Sequence, residues 1–312
     1  MAYQLTRVKA DRIIENIKSG ISRYFKENGL VYAVFGKSEG LDSSVIAGLL
    51  SRIKNVRPIG VIMPCESDVE SERLAKVVLD HFGIPYVTVD LTKEFHALMG
   101  NYYSLKSVNG QLSHILKDHY HDPALVQSIP HKKNRASGNI KARLRMVTLY
   151  HIALLTGGIV ISTDNLSEWW MGYWTINGDV GDLAPIQNVW KGMEEPAIAR
   201  ALGVPQEALN VVPTDGLNIE TDEDQLGLPY KELDRVIVAL LQNKFDGKKK
   251  WSDARMGTLC AKLSSHLGHP IEKIAHTAQQ MTQTNFKRDW PIVISRLELG
   301  LPDIKDVNVS MK

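Results

Sequence analysis

Short apolar runs alternate with stretches in helical rhythm across the first half of the chain. Strands are expected at Val31–Phe35, Pro58–Met63, Tyr86–Val89 and Ile159–Ser162. Helices are expected near Ser43–Ile53, Glu70–Phe82 and Ile140–Leu155, after an opening helix at about Leu5–Asn28. This alternation predicts an α/β fold: a doubly wound, Rossmann-like, mostly parallel sheet of about five strands with helices on both faces. In such sheets ligands lie beyond the carboxyl ends of the strands. The polar turns at Ser38, Met63-Pro64 and Thr163-Asp164-Asn165 all fall at that edge.

The rhythm breaks between Met99 and Gly138, a polar stretch carrying His114, His119, His121 and His131, read as an irregular insertion or lid with solvated histidines. Asn243–Trp251, with Lys248-Lys249-Lys250, reads as a mobile loop, and Trp251–Lys287 returns to helical patterning. No internal repeat interrupts residues 1–312, taken as a single domain.

Composition narrows the picture modestly. A 312-residue chain with 44% hydrophobic and 23% charged residues has the makeup of an ordinary globule with a large core. A net charge of +2 argues against a dedicated nucleic-acid binder. Cys65 and Cys260 are too few for a disulfide framework and lack zinc-site clustering. No apolar run reaches the ~18 residues that span a bilayer, and the first residues have no signal-peptide core. The expectation is a cytoplasmic protein with neither nucleic-acid nor membrane partner.

The candidate chemistry starts at Phe35-Gly36-Lys37-Ser38-Glu39-Gly40-Leu41-Asp42-Ser43-Ser44, where a strand runs through a Gly/Ser turn into a helix. Such a turn aims backbone N–H groups at one point and adds the positive end of the helix. Ser38, Ser43 and Ser44 contribute hydroxyls, and Asp42 can hold magnesium against phosphate oxygens. The spacing is neither a Walker loop nor a dinucleotide fingerprint. It resembles the S-G-G-x-D-S loop of the N-type ATP pyrophosphatases, with Glu39 standing at the first glycine. Lys37 is a candidate partner for that carboxylate.

Further motifs follow in order: Asn139-Ile140-Lys141-Ala142-Arg143-Leu144-Arg145, Ser162-Thr163-Asp164-Asn165-Leu166-Ser167-Glu168, Gly178-Asp179-Val180-Gly181-Asp182-Leu183-Ala184-Pro185 and Pro213-Thr214-Asp215-Gly216-Leu217. With the phosphate loop, this order resembles the NAD synthetase family from about residue 8 to residue 295. The resemblance implies ATP-dependent amidation of the carboxylate of deamido-NAD. ATP would bind Gly36, Lys37, Ser38, Glu39, Gly40, Leu41, Asp42, Ser43, Met63, Thr163, Lys191 and Thr214. Asp42 and Glu168 would share a magnesium ion. Asn139, Arg143, Asp179, Asp182 and Lys287 would hold the deamidated dinucleotide, and Asp42, Asp179 and Lys191 would carry catalysis. A homodimer is implied. With only about 30 residues before the first strand, too few for a fused amidase, the chain should use free ammonia or ammonia from a separate glutaminase.

Four departures from the family pattern stand out: Glu39, Leu166 at an often basic position, Ile176 where some members place a lysine, and a Gly178–Asp182 segment one residue short. They leave the acceptor open between deamido-NAD, its mononucleotide and another carboxylate. A non-catalytic nucleotide-binding module remains the rival to an enzyme. Trp169, Trp170, Tyr173 and Trp174 read either as helix packing or as a stacking surface for a ring.

Overall fold

The computed structural model describes residues 3, 5–103, 108–128, 132–213 and 221–291. An opening helix, α1 (Arg7–Glu27), leads into β1 (Tyr32–Gly36), α2 (Leu41–Leu50), β2 (Arg57–Ile62), α3 (Val69–His81) and β3 (Tyr86–Thr88). Next come α4 (Thr92–Tyr103), α5 (Val108–His114), a π-helical turn at Ile115–His119, α6 (Pro123–Ser128), α7 (Lys133–Thr156) and β4 (Ile159–Val160). The remaining elements of the described residues are helices: α8 (Leu166–Met171), α9 (Glu195–Leu202), α10 (Gln206–Leu209), α11 (Asp222–Leu226), α12 (Tyr230–Gln242), α13 (Asp253–Leu267), α14 (Ile271–Gln283) and α15 (Asn285–Arg288).

The four strands among the described residues pair in parallel in the order β3-β2-β1-β4. The register sets Val34 beside Ile59 on one flank and beside Val160 on the other. About five strands were expected. On the outer flank of β4 a single parallel bridge, Ile161 to Leu183, stands where a fifth would lie. Side chains alternate faces with the period of two that a pleated strand imposes. Ala33, Phe35, Ile62 and Ile161 enter a core formed with α1, α2, α3 and α9. Val34, Val61, Met63 and Val160 enter a second core with Phe95 of α4 and Met146, Leu149 and Ala153 of α7. A third cluster, built on Leu233, Ile237, Leu240, Phe245, Leu263 and Met281, unites α12, α13 and α14.

Helix α2 is buried along nearly its whole length, from Ser43 to Leu50. A helix apolar all round belongs inside, and this one holds the phosphate loop rigidly against β1. The chain turns away from β1 in opposite directions, to β2 through α2 and to β4 from α7. The sheet's switch point therefore lies between the ends of β1 and β4, where an α/β sheet opens a crevice.

The stretch between residues 99 and 138 departs from expectation, because its described residues are largely helical rather than irregular. Val108, Leu112 and Ile115 recur at helical spacing, and α7 begins seven residues before the expected Ile140. His114, His119 and His121 are exposed there; His131 lies outside the described residues. The 243–251 segment is a loop with exposed lysines at 248–250, but Phe245 is buried and the Asp246 carbonyl accepts from Arg288. No helix of the described residues is long and apolar enough to cross a membrane.

Candidate active site

A cavity of about 850 Å³ opens at the switch point. The whole loop from Gly36 to Ser43 lines it, together with Met63, Thr163, Glu168, Asp179 and Lys191, all expected from sequence. Thr214 lies outside the described residues, although the adjoining Pro213 lines the cavity.

The phosphate loop is organised by its own hydroxyls. The Gly40 N–H donates to Ser38 Oγ at 3.1 Å, and Ser44 Oγ donates to the Gly40 carbonyl at 2.8 Å. Lys37 does not reach out to Glu39. Its Nζ turns under the loop and donates to the Ser38 carbonyl, to Ser43 Oγ at 3.1 Å and to Ser44 Oγ at 3.0 Å. Burial pushes its pKa down to about 7, against the opposing pull of Glu39 and Asp42. Glu39 is half-exposed at the cavity wall and is not among the residues with positive φ. The position therefore does not demand glycine for its backbone shape.

Across from the loop, Asn165 caps α8 in a reciprocal box: its side chain accepts from the Glu168 N–H at 3.0 Å, and Glu168 Oε2 accepts from the Asn165 N–H at 3.4 Å. Asn165 Nδ2 also donates to Asp42 Oδ1 at 2.8 Å, so a single residue aligns both carboxylates. Between them sits the Lys191 ammonium, ion-paired with Asp42 and 3.9 Å from Glu168 Oε1. Burial alone would lower the Lys191 pKa; Asp42, Glu195 and Glu168 outweigh it and keep the lysine charged. Glu168 is raised by burial and by Asp42.

Lys191 is held by a clamp that sequence reading missed. Its backbone N–H donates to Ser167 Oγ at 3.0 Å, and Ser167 donates at 2.5 Å to Oδ1 of Asp234, a fully buried residue of α12. Asp234 Oδ2 accepts from the Gly192 and Met193 N–H groups at 2.8 and 3.0 Å. At Gly192 a Cβ would lie 2.2 Å from the Lys231 nitrogen, so only glycine lets this loop press against α12.

Farther along the cavity, Asp179 Oδ2 accepts from the Thr175 N–H at 2.5 Å, and Thr175 Oγ1 donates to Asn139 Oδ1 at 2.9 Å. Arg143 Nε donates to the Ile176 carbonyl at 3.2 Å, and Lys287 donates to the Gly172 and Trp174 carbonyls at 2.7 and 2.5 Å. These expected residues thus gather around the 172–179 turn. Asp182 is tied to the sheet, accepting from the Val160 N–H at 2.8 Å and from the Tyr150 hydroxyl at 3.0 Å. Trp170 and Tyr173 pack against the third core, and Arg288 stacks on Trp169 and Trp170.

Other residues were missed. Arg145 lines the cavity and donates to the Met63 carbonyl at 3.3 Å; its place two residues after Arg143 in the quoted motif was the available signal. Glu195 is fully buried beside Asp42 and Lys191, and burial with the neighbouring Asp42 charge raises its pKa. Asp164 is buried, with Oδ2 unpartnered and its pKa pushed up to about 7 by burial and by Asp179. Folded Asp164 therefore keeps a proton that an unfolded carboxyl releases near about 3.9. Its contribution favours folding at low pH and is lost as pH rises through about 7. Urea midpoints should be higher at pH 5 than at pH 8, and Asp164→Asn should narrow that gap; an undiminished gap would contradict the assignment.

Among the described residues no three metal-ligating side chains come together as a closed site. The partly buried carboxylates of Asp42 and Glu168, facing a phosphate cradle, nevertheless fit magnesium, which takes one or two protein carboxylates plus substrate phosphates.

A family model described as NAD synthase matches residues 13–291. The NH(3)-dependent NAD(+) synthetase of Finegoldia magna is 34% identical over 225 residues, covering 72% of this chain and 82% of that protein. Two solved structures share the fold. NMN synthetase from Francisella tularensis superposes with a TM-score of 0.67 at 23% identity, covering 92% of this chain and 98% of the other. NH3-dependent NAD synthetase from Campylobacter jejuni superposes with a TM-score of 0.65 at 21% identity, covering 92% and 99%.

Proposed function

The chain belongs to the NAD synthase family, and from that premise we propose that it converts deamido-NAD to NAD with ATP and ammonia, releasing AMP and pyrophosphate. The observation that carries this reading is the meeting of the phosphate loop, Lys191 and the Asp42–Glu168 pair in one cavity at the switch point. The ammonia-dependent naming of the relatives supports ammonia as the nitrogen donor. Free ammonia, or a separate glutaminase, would supply it.

In this account the loop from Gly36 to Ser43 binds the triphosphate, Met63 and Thr163 border the nucleoside, and Thr214 adds a contact. Asn139, Arg143, Asp182 and Lys287 belong to the acceptor side. The acceptor carboxylate attacks the α-phosphorus, the α–β linkage breaks, and an acyl-adenylate and pyrophosphate result. Lys191, fixed by the Ser167–Asp234 clamp, presents a charge that needs no reorganisation as negative charge builds on the phosphate. Magnesium, when held by Asp42 and Glu168, would neutralise phosphate charge. Ammonia then attacks the acyl carbon and AMP departs. Asp179, with Asp164 near it, is suited to bind ammonium and accept its proton. We also propose a cytoplasmic homodimer. The exposed apolar residues Val147, Tyr150 and Leu154 on one face of α7, with Leu155 beside them, support self-association.

A second reading, amidation of the mononucleotide, is favoured by Ile176, which offers an apolar side chain where some members of the family, though not all branches, place a lysine. Incubating the protein with ATP, magnesium, ammonium and either acceptor separates the two. NAD and AMP formed in equal amounts from deamido-NAD are expected. Turnover of the mononucleotide alone would favour the second reading, and failure with both would refute this account.

A further inference from the structure

The deepest cation of the phosphate loop is Lys37. Its residue is only 3% exposed, and its ammonium has three N–H groups and three acceptors: the Ser38 carbonyl, Ser43 Oγ and Ser44 Oγ. Ser43 therefore receives a hydrogen bond from beneath and must place its own hydrogen elsewhere. Each acceptor within the loop already takes one hydrogen bond. The Ser38 carbonyl takes a hydrogen from Lys37, the Gly40 carbonyl takes one from Ser44 Oγ at 2.8 Å, and Ser38 Oγ takes one from the Gly40 N–H at 3.1 Å. Ser43's own approaches to these oxygens are longer, at 3.1 to 3.3 Å. Its hydrogen, given to the Gly40 carbonyl at 3.1 Å, is thus the most weakly held hydroxyl hydrogen of the loop, and Ser43 lines the cavity.

Resting on the ATP-binding reading above, we propose that Lys37 is a positioning residue that acts through Ser43: it fills the serine's acceptor side and turns the hydroxyl hydrogen toward pyrophosphate. A hydrogen bond received by a hydroxyl strengthens the one it donates.

The test is calorimetric titration of the full chain with two probes, inorganic pyrophosphate and AMP, both with magnesium. Lys37→Met should weaken pyrophosphate by at least about tenfold and AMP by no more than about twofold. Lys37→Gln, which keeps a donor and removes the charge, should show the same split and serves if the methionine variant does not fold. In Lys37→Met/Ser43→Ala, pyrophosphate should bind no more weakly than in Ser43→Ala alone, because the lysine acts through that serine. Wild-type pyrophosphate affinity in both lysine variants, equal losses for the two probes, or losses that multiply in the double variant would overturn the proposal. If the unaltered chain binds neither probe, the ATP-binding reading itself falls, an outcome distinct from failure of Lys37 alone.

Discussion

Replacing Lys191 with methionine is expected to slow adenylate formation by about 10²–10³-fold, the usual cost of losing one preorganised charge at a reacting centre. The same change should destabilise the protein by about 3–5 kcal/mol, because it leaves buried carboxylates without their counter-charge. Lys191 is 8% exposed at its side chain and faces Asp42, Glu168 and Glu195. Without it, Glu168 and Glu195 should hold protons still more tightly, so the stability loss should be smaller at pH 5 than at pH 8. Urea unfolding at the two pH values and single-turnover AMP formation check both halves. A variant that keeps its stability but loses its rate would mean that Asp42 and Lys191 are not paired as described.

Asp179→Asn should separate the two chemical steps. An asparagine can still accept from the Thr175 N–H, so the 172–179 turn should persist and adenylation should continue. Attack by ammonia should slow by about 10²–10⁴-fold, the range for a lost general base. The adenylate would then escape or hydrolyse, and AMP should outrun amide in the product ratio. Hydroxylamine, uncharged at neutral pH, should bypass the defect and yield hydroxamate. Parallel loss of AMP and amide would place Asp179 in the first step instead.

Local signals made much of this legible in the sequence. The run from Tyr32 to Leu50 joins an apolar strand to a helix apolar on every side through one Gly/Ser turn, and few folds bury such a unit other than at the centre of a parallel sheet. Asn165 and Glu168 are three residues apart at a helix start, so their joint orientation follows from capping chemistry. The described residues between 99 and 138 were harder, because their apolar side chains remain partly exposed and the sequence shows only a polar stretch. Lys37 was misjudged for a related reason. Proximity to Glu39 suggested an ion pair, whereas the loop's oxygens lie closer to its ammonium. Asp234 and Glu195 carry no local signature at all. The first acts across 67 residues on Ser167, and the second gains its meaning only when α9 is set against the start of α2.

Activation of the acceptor carboxylate by transfer of AMP, with cleavage between the α and β phosphates, is the step on which the proposed function turns. It is tested most directly by supplying deamido-NAD whose carboxylate carries heavy oxygen and locating the label after turnover. One labelled oxygen in the phosphate of AMP and none in pyrophosphate is the predicted result. Label in inorganic phosphate, or AMP formed without label, would contradict it.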